Sequence, residues 1–182
     1  DMPASAADIA FGGPPCQGTS VAAAIHGKRD GRSLAPEMLR VAALCEWVVV
    51  EQPPGNAAWE THVSDLLAGT GRHVARVEFE ARDVGAPYPR RRVYLMACPS
   101  LSRLEIAWQS VPSEIERVKR AADARADWGA DQLAAIPVVA RAAGDMDRGA
   151  RSAYRKEAID ALGDSNPPAM AEVIGRAIRN AA

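Results

Sequence analysis

Hydrophobic positions fall into short runs broken by glycine and proline. "ADIAFGG" (7–13) is an apolar run ending at a glycine pair, the pattern of a short buried strand entering a turn. "SLAPEMLRVAALCEW" (33–47) reads as a helix, with Ser33 as N-cap and Met38, Leu39, Ala42, Ala43 and Leu44 on its apolar face. "WVVVEQPPG" (47–55) is a β-branched run stopped by Pro-Pro-Gly, a second buried strand. "ETHVSDLLAGTG" (60–71) reads as a helix closed by glycine, and "HVARVEFEA" (73–81) alternates as a strand does. "RRVYLMACP" (91–99) is a further strand, ended by proline. The stretch 100–150 is polar and helical in tone without a clear period, and "PPAMAEVIGRAIRNAA" reads as an amphipathic helix with Pro167 and Pro168 at its start.

Strand, helix, strand, helix, strand predicts parallel pairing and an α/β sheet. The loop between the last two strands is only about ten residues, too short for a helical crossover, so those two are expected to pair antiparallel. In open α/β sheets, ligands bind beyond the carboxyl ends of the strands. That rule puts the segment after "ADIAFGG" and the end of "WVVVE" at one edge. The antiparallel reversal brings the arginines before the last strand to the same edge.

Composition narrows the class without fixing it. The 182 residues are enough for one domain with a sizeable core, and 48% hydrophobic with 25% charged is ordinary for a globular chain. Aromatics are only 5%, so the core is expected to rest on aliphatic side chains. No apolar run approaches the ~20 residues that span a bilayer, and the opening residues have no basic n-region or apolar h-region of a signal peptide. No membrane partner is expected. Three cysteines (Cys16, Cys45 and Cys98), with no Cys-x-x-Cys pair, argue against a metal site and fit a reduced, cytoplasmic protein. Net charge is −1, but basic residues cluster at "HGKRDGR" (26–32) and "PRRRV" (89–93).

The chemistry concentrates at "FGGPPCQGTS" (11–20). Free cysteine is usually a buried structural residue. Here Gly12 and Gly13 allow close approach to the backbone, while Pro14 and Pro15 fix φ and hold the Cys16 thiol in place. Such a loop suits a nucleophile that must meet an electrophilic carbon. Glu51 ends a valine strand; it is either an idle strand-end carboxylate or an acid desolvated enough to give a proton to a ring nitrogen. In "PRRRV", alternation sends Arg90 and Arg92 to one side and Arg91 to the other, either as a basic edge or as a pair suited to a phosphate or carbonyl oxygen. Lys28, Arg29 and Arg32 lie in a loop between glycines, either a solvated turn or a set of phosphate contacts.

Taken in order, these segments resemble the DNA (cytosine-5)-methyltransferase family. "FGGPPCQGTS" resembles its Pro-Cys-Gln motif, "VVVEQPPGN" its Glu-Asn-Val motif, "DVGAPYPRRRVYLMA" its Gln-x-Arg-x-Arg motif, and "ALGDSNPPAMAEVIGRAI" its last motif and following helix. The resemblance covers about residues 7–98 and 154–180. It implies a Rossmann-like S-adenosylmethionine-dependent methyltransferase fold, partial, with a mostly parallel sheet and an antiparallel last strand. Residues 1–99 would be the catalytic half, 100–150 a short variable segment of the target-recognition kind, and 151–182 the returning motif and helix.

The resemblance also implies roles. Cys16 would be the thiolate that adds to C6 of a flipped-out cytosine, Glu51 would hold or protonate N3, and Arg92 would contact O2, with Arg90 supporting the loop or backbone. Pro15, Gln17 and Ser20 would contact double-stranded DNA, and Lys28, Arg29 and Arg32 its phosphates as their loop closes. Pro14, Asp164 and Ser165 would face S-adenosylmethionine. Thr19, Gln52, Pro53, Tyr88 and the Asp164-Ser165-Asn166 run depart from the usual motif residues. The family's opening Phe-x-Gly-x-Gly turn has no counterpart here. Most of the cofactor pocket is therefore expected on an N-terminal half or a complementary chain, leaving an open sheet edge at "ADIAFGG". A bacterial or phage-encoded cytoplasmic enzyme is the setting this implies, for restriction–modification or phage self-protection. The alternative is an inactive methyltransferase remnant or subunit that binds DNA or a partner chain. An unrelated cysteine hydrolase would need a histidine base, and His26, His62 and His73 lie in no motif.

Overall fold

A computed structural model describes residues 8–14, 35–86, 89–124 and 167–182. The elements in chain order are β1 (Ile9–Gly12), α1 (Ala35–Ala42), β2 (Trp47–Gln52), α2 (Ala57–Ala68), β3 (His73–Glu80), a 3-10 turn (Ala81–Val84), β4 (Arg91–Cys98), α3 (Leu101–Ala124) and α4 (Pro168–Arg179). The α/β class expected from the sequence is therefore what forms.

The sheet order is β1-β2-β4-β3. β1 and β2 pair in parallel, with Gly12 opposite Val50. β4 runs antiparallel to both β2 and β3. The sequence reading foresaw the antiparallel β3–β4 pair but expected a mostly parallel sheet. Because β4 enters between β2 and β3, only one of the three pairings is parallel. The reason lies in the strand sequences. Every residue of β4 after Arg91 is buried, so β4 needs cover on both faces and a neighbour on each side. β3 alternates, with Arg76, Glu78 and Glu80 on one face, and charged alternation belongs at an edge.

Helices cover both faces. On one, Trp59, Val63 and Leu67 of α2, with Ala35 and Ala42 of α1, pack on Val48, Val50, Val93, Leu95 and Ala97. On the other, α3 and α4 pack on Val49, Val77, Phe79, Tyr94 and Met96. Asn56, which follows the left-handed Gly55 (φ 106°), caps α2 by accepting from the Trp59 N–H at 3.1 Å. α2 is clamped to β3 by Arg76, whose Nε lies 2.6 Å from Glu60 Oε2 and whose Nη2 lies 2.5 Å from Glu78. The hydrogen bond to Glu60, then that to Glu78, raises the Arg76 guanidinium above its ordinary value.

Residues 100–150 show no clear period in the sequence, yet Leu101–Ala124 is one 24-residue helix. Its buried positions are Leu104, Ala107, Val111, Glu114 and Val118, a clean helical spacing. Ala107 is small and Glu114 is charged, which hides the stripe. Glu114 is buried at the α4 end, where its Oε1 accepts from Asn180 Nδ2 at 3.0 Å. The start of α3 is tied down by Arg103. Its Nε donates to the Ala181 carbonyl at 2.7 Å, Nη1 pairs with Glu46, and the guanidinium lies 5.8 Å from the Trp47 ring centroid.

Buried Arg72 performs a similar task at the end of α1. It donates to Thr70 Oγ1 at 2.8 Å, to the Cys45 carbonyl just past the helix at 2.6 Å and to the carbonyl of Ala42, the last residue of α1, at 3.4 Å. Helix-terminal carbonyls have no partner within the helix, so this side chain supplies one. Arg72→Met keeps the stem and removes the donors. We expect it to lower the unfolding free energy by about 1–3 kcal/mol, read by urea denaturation, and an unchanged midpoint and slope would contradict that role.

Candidate active site

β1 and β2 end, and β4 begins, at one edge of the sheet. The register places Gly12 opposite Val50, Glu51 opposite Tyr94 and Gln52 opposite Val93. Thus Gly13-Pro14, Glu51-Gln52 and Arg90–Arg92 meet there from three distant segments of the chain. This is the carboxyl end of the parallel pair, where open α/β sheets bind ligands.

Glu51 is buried, 7% exposed, and Arg92 is 8% exposed. Arg92 Nε forms an ion pair with Glu51 Oε1, and Arg92 Nη1 donates to the Arg91 carbonyl at 2.8 Å. A buried charge is tolerable only when paired, and these two residues provide each other's counter-charge. Both lie on the sheet face that carries Tyr94 and Phe79, whose rings stack at 5.2 Å. Phe11 of β1 stands 6.1 Å from Tyr94 on the same face. Glu51 is therefore not an exposed strand-end carboxylate: it is buried and paired with Arg92.

Arg90 is half-buried at the same edge, and its carbonyl accepts from the Ala81 N–H at 3.0 Å. Arg91 points the other way, exposed and 2.6 Å from Glu78, as alternation predicts. Pro14 is buried, and its carbonyl accepts from Gln52 Nε2 at 2.9 Å. Gly13 lies over Glu51. A Cβ added there would stand 2.7 Å from Glu51 Oε2. The sequence suggested a glycine for close approach of another molecule; the approach seen is to the protein's own carboxylate.

Cys16 itself, with Pro15, Gln17, Ser20, Lys28, Arg29, Arg32, Asp164 and Ser165, lies outside the described residues. His62 and His73 are exposed, and His73 starts β3 opposite Cys98, at the end of the sheet away from Glu51. A histidine base for a hydrolase is therefore absent from this edge among the described residues. Of the residues expected to face S-adenosylmethionine, only Pro14 is described, and its carbonyl is engaged by Gln52. Among the described residues, no cluster of three or more His, Cys, Asp or Glu side chains could hold a metal ion. No helix among them is long and apolar enough to cross a membrane.

Sequence reasoning located Glu51, Arg92 and the glycine-proline turn, and marked Gln52 as a longer amide at a motif position where a bond to the loop was in question; that bond is made, to the Pro14 carbonyl. The signal for Gln52 was positional: a long amide directly after a buried strand-end carboxylate. No protein-family model matches the chain, and no curated protein matches it.

Gly13→Ala must push the Glu51 carboxylate away from Arg92 or lift the loop. We expect it to cost about 1–3 kcal/mol. The cost should fall below about 1 kcal/mol when Glu51 is shortened to Ser, because the two changes relieve one contact. Equal cost in both backgrounds, measured by denaturation, would mean that Gly13 does not read the carboxylate.

Proposed function

We propose that this chain carries the base-activating machinery of a DNA (cytosine-5)-methyltransferase on a Rossmann-like methyltransferase fold. The observation that supports this most is the meeting of Glu51, Arg92 and the Gly13-Pro14 approach to Cys16 at one sheet edge. In the sequence these belong to three motifs that resemble that family's, in its order. Here the ion pair and the Gln52 bond join them across 41 and 38 residues.

The chemistry follows from the groups. The Cys16 thiolate adds to C6 of cytosine, and N3 takes a proton at the Glu51 carboxyl group. Arg92, beside Glu51, donates to the O2 carbonyl. C5 then carries electron density and takes an electrophile. A target inside a duplex cannot be reached, so the base must leave the stack. S-adenosylmethionine is the methyl donor this reading implies. A reduced cytoplasmic setting, in a bacterium or encoded by a phage, suits a reactive thiol.

The activation steps have a readout that needs no methyl donor. With the sulfur on C6 and N3 protonated, C5 accepts a proton from water. Loss of the original C5 hydrogen and expulsion of the thiolate restore the base. DNA tritiated at cytosine C5 should therefore release tritium to water. Cys16→Ser should abolish release, and Glu51→Gln should slow it roughly 10²–10⁴-fold. Release by Cys16→Ser at the unsubstituted rate would refute the reading.

A second reading is favoured by one observation. Among the described residues β1 has a strand neighbour on one side only, and Ile9 and Phe11 are 38% and 40% exposed. An open apolar edge suits a subunit or remnant that binds a partner chain or DNA without chemistry. It predicts no tritium release with DNA binding retained. In either reading, phosphate contacts by Lys28, Arg29 and Arg32 should weaken DNA binding roughly ten- to a hundredfold between about 50 and 200 mM salt. A salt-independent affinity in filter binding would exclude those contacts.

A further inference from the structure

Glu114 is a carboxylate at 3% exposure on the inner face of α3, between Val111 and Val118, and the chemistry proposed above does not use it. Its Oε1 accepts from Asn180 Nδ2 at 3.0 Å. Its Oε2 is buried without a hydrogen bond among the described residues, and the Arg117 Nε stands 3.7 Å from it. A buried acid held this loosely costs stability relative to an apolar side chain of similar size. Its retention points to specificity instead.

The face of α4 that meets α3 and the sheet shows what needs specifying. The buried residues there form two rows with a spacing of four: Met170, Ile174 and Ile178, and Val173, Ala177 and Ala181. Residues four apart follow one another along a single ridge of a helix. Sliding α4 by one turn along its axis, about 6 Å for four residues, therefore puts apolar side chains where apolar side chains were. The Arg103 Nε bond to the Ala181 carbonyl holds the helix end, at 2.7 Å. The last carbonyls of a helix all lack a partner within it, so a shifted helix offers Arg103 another. Asn180 has no such substitute. It is the only amide side chain from 167 to 182. One turn earlier stands Arg176, which is longer and is held by Glu172 at 2.8 Å.

We propose that the Glu114–Asn180 bond is a register lock, which fixes where α4 stops along α3 when apolar packing does not. A single buried polar residue sets the register of packed helices in coiled coils by the same physics, at a cost in stability. The lock bears on the edge that carries Glu51 and Arg92. α4 packs on the 3-10 turn after β3 as well as on α3, and β3 ends there opposite Arg91, the first residue of β4. An axial shift of α4 therefore moves Pro167 and Pro168 relative to that edge. The inference does not depend on the function proposed above.

The test uses the full chain with 13C-labelled methionine methyl groups. Met170 is fully buried on α4 and lies ten residues before Asn180, about 15 Å along the helix. A purely local change at Glu114 does not reach it. Met38 of α1, on the other face of the sheet, is the control, and Met170→Leu assigns the signal. The unsubstituted chain and Glu114→Gln, which keeps an acceptor oxygen, should each give one Met170 signal. Glu114→Leu should give a second, with roughly a tenth or more of the intensity, because a bond to a charged group weights the two registers by about tenfold or more. The Met38 signal should stay single. Should Glu114→Leu not fold, Glu114→Gln combined with Asn180→Ala removes the bond without leaving a buried charge, and the same splitting is expected. One Met170 signal at the unsubstituted position in the chain lacking the bond would overturn the inference. So would splitting in Glu114→Gln alone, because the charge rather than the bond would then hold the register.

Discussion

The buried ion pair between Arg92 and Glu51 is the interaction on which the site depends. Two charges taken out of water cost several kcal/mol each unless they meet in good geometry. The fold meets that demand by putting the last residues of β2 beside the first residues of β4. Glu51 cannot be buried alone at the end of a valine strand, and Arg92 cannot enter an apolar strand alone. Each makes the other's position tolerable, and together they fix the corner where β4 enters the sheet. Gly13 then fits because no side chain competes with the carboxylate for that space.

The same corner explains the order of the sheet. β4 is apolar on both faces along nearly its whole length, so it sits between two strands and under helices on either side. Its central place carries Arg92 inward while Arg91 stays at the surface with Glu78. β3, with a charged face, takes the outer position, and Arg76 ties that face to α2 through Glu60. The opposite edge, at β1, is shorter and apolar, with Phe11 reaching toward Tyr94 beneath the site. The described part of the candidate site, Gly13-Pro14, Glu51-Gln52 and Arg90–Arg92, is thus built at strand ends.

Much of this was legible in the sequence. Strand and helix positions from 47 to 98 follow the apolar pattern within a few residues, and alternation separated Arg91 from its neighbours. Convergence of Glu51 with Arg92 was foreseeable because a short β3–β4 connection forces the last strand to reverse. Three things were not legible. Placing β4 inside the sheet requires weighing two strands against each other, not reading either alone. Helix α3 was hidden because its buried stripe includes Ala107 and Glu114, and the acid is accommodated beside Arg117 of the same helix and Asn180 at the C-cap of α4. Whether the Gln52 amide reaches the loop was left open by the sequence, because its partner is a backbone carbonyl.

A double-mutant cycle on Glu51→Gln and Arg92→Met, followed by urea denaturation, tests most directly whether this pair organises the edge. Removing one partner leaves a buried charge uncompensated, which costs about 3–5 kcal/mol. Removing both leaves none. The account predicts that the double variant is more stable than the sum of the single losses allows, with a coupling of about 1–3 kcal/mol. Additive losses, within about 0.5 kcal/mol, would mean that Glu51 and Arg92 are merely neighbours and that the edge is held by something else.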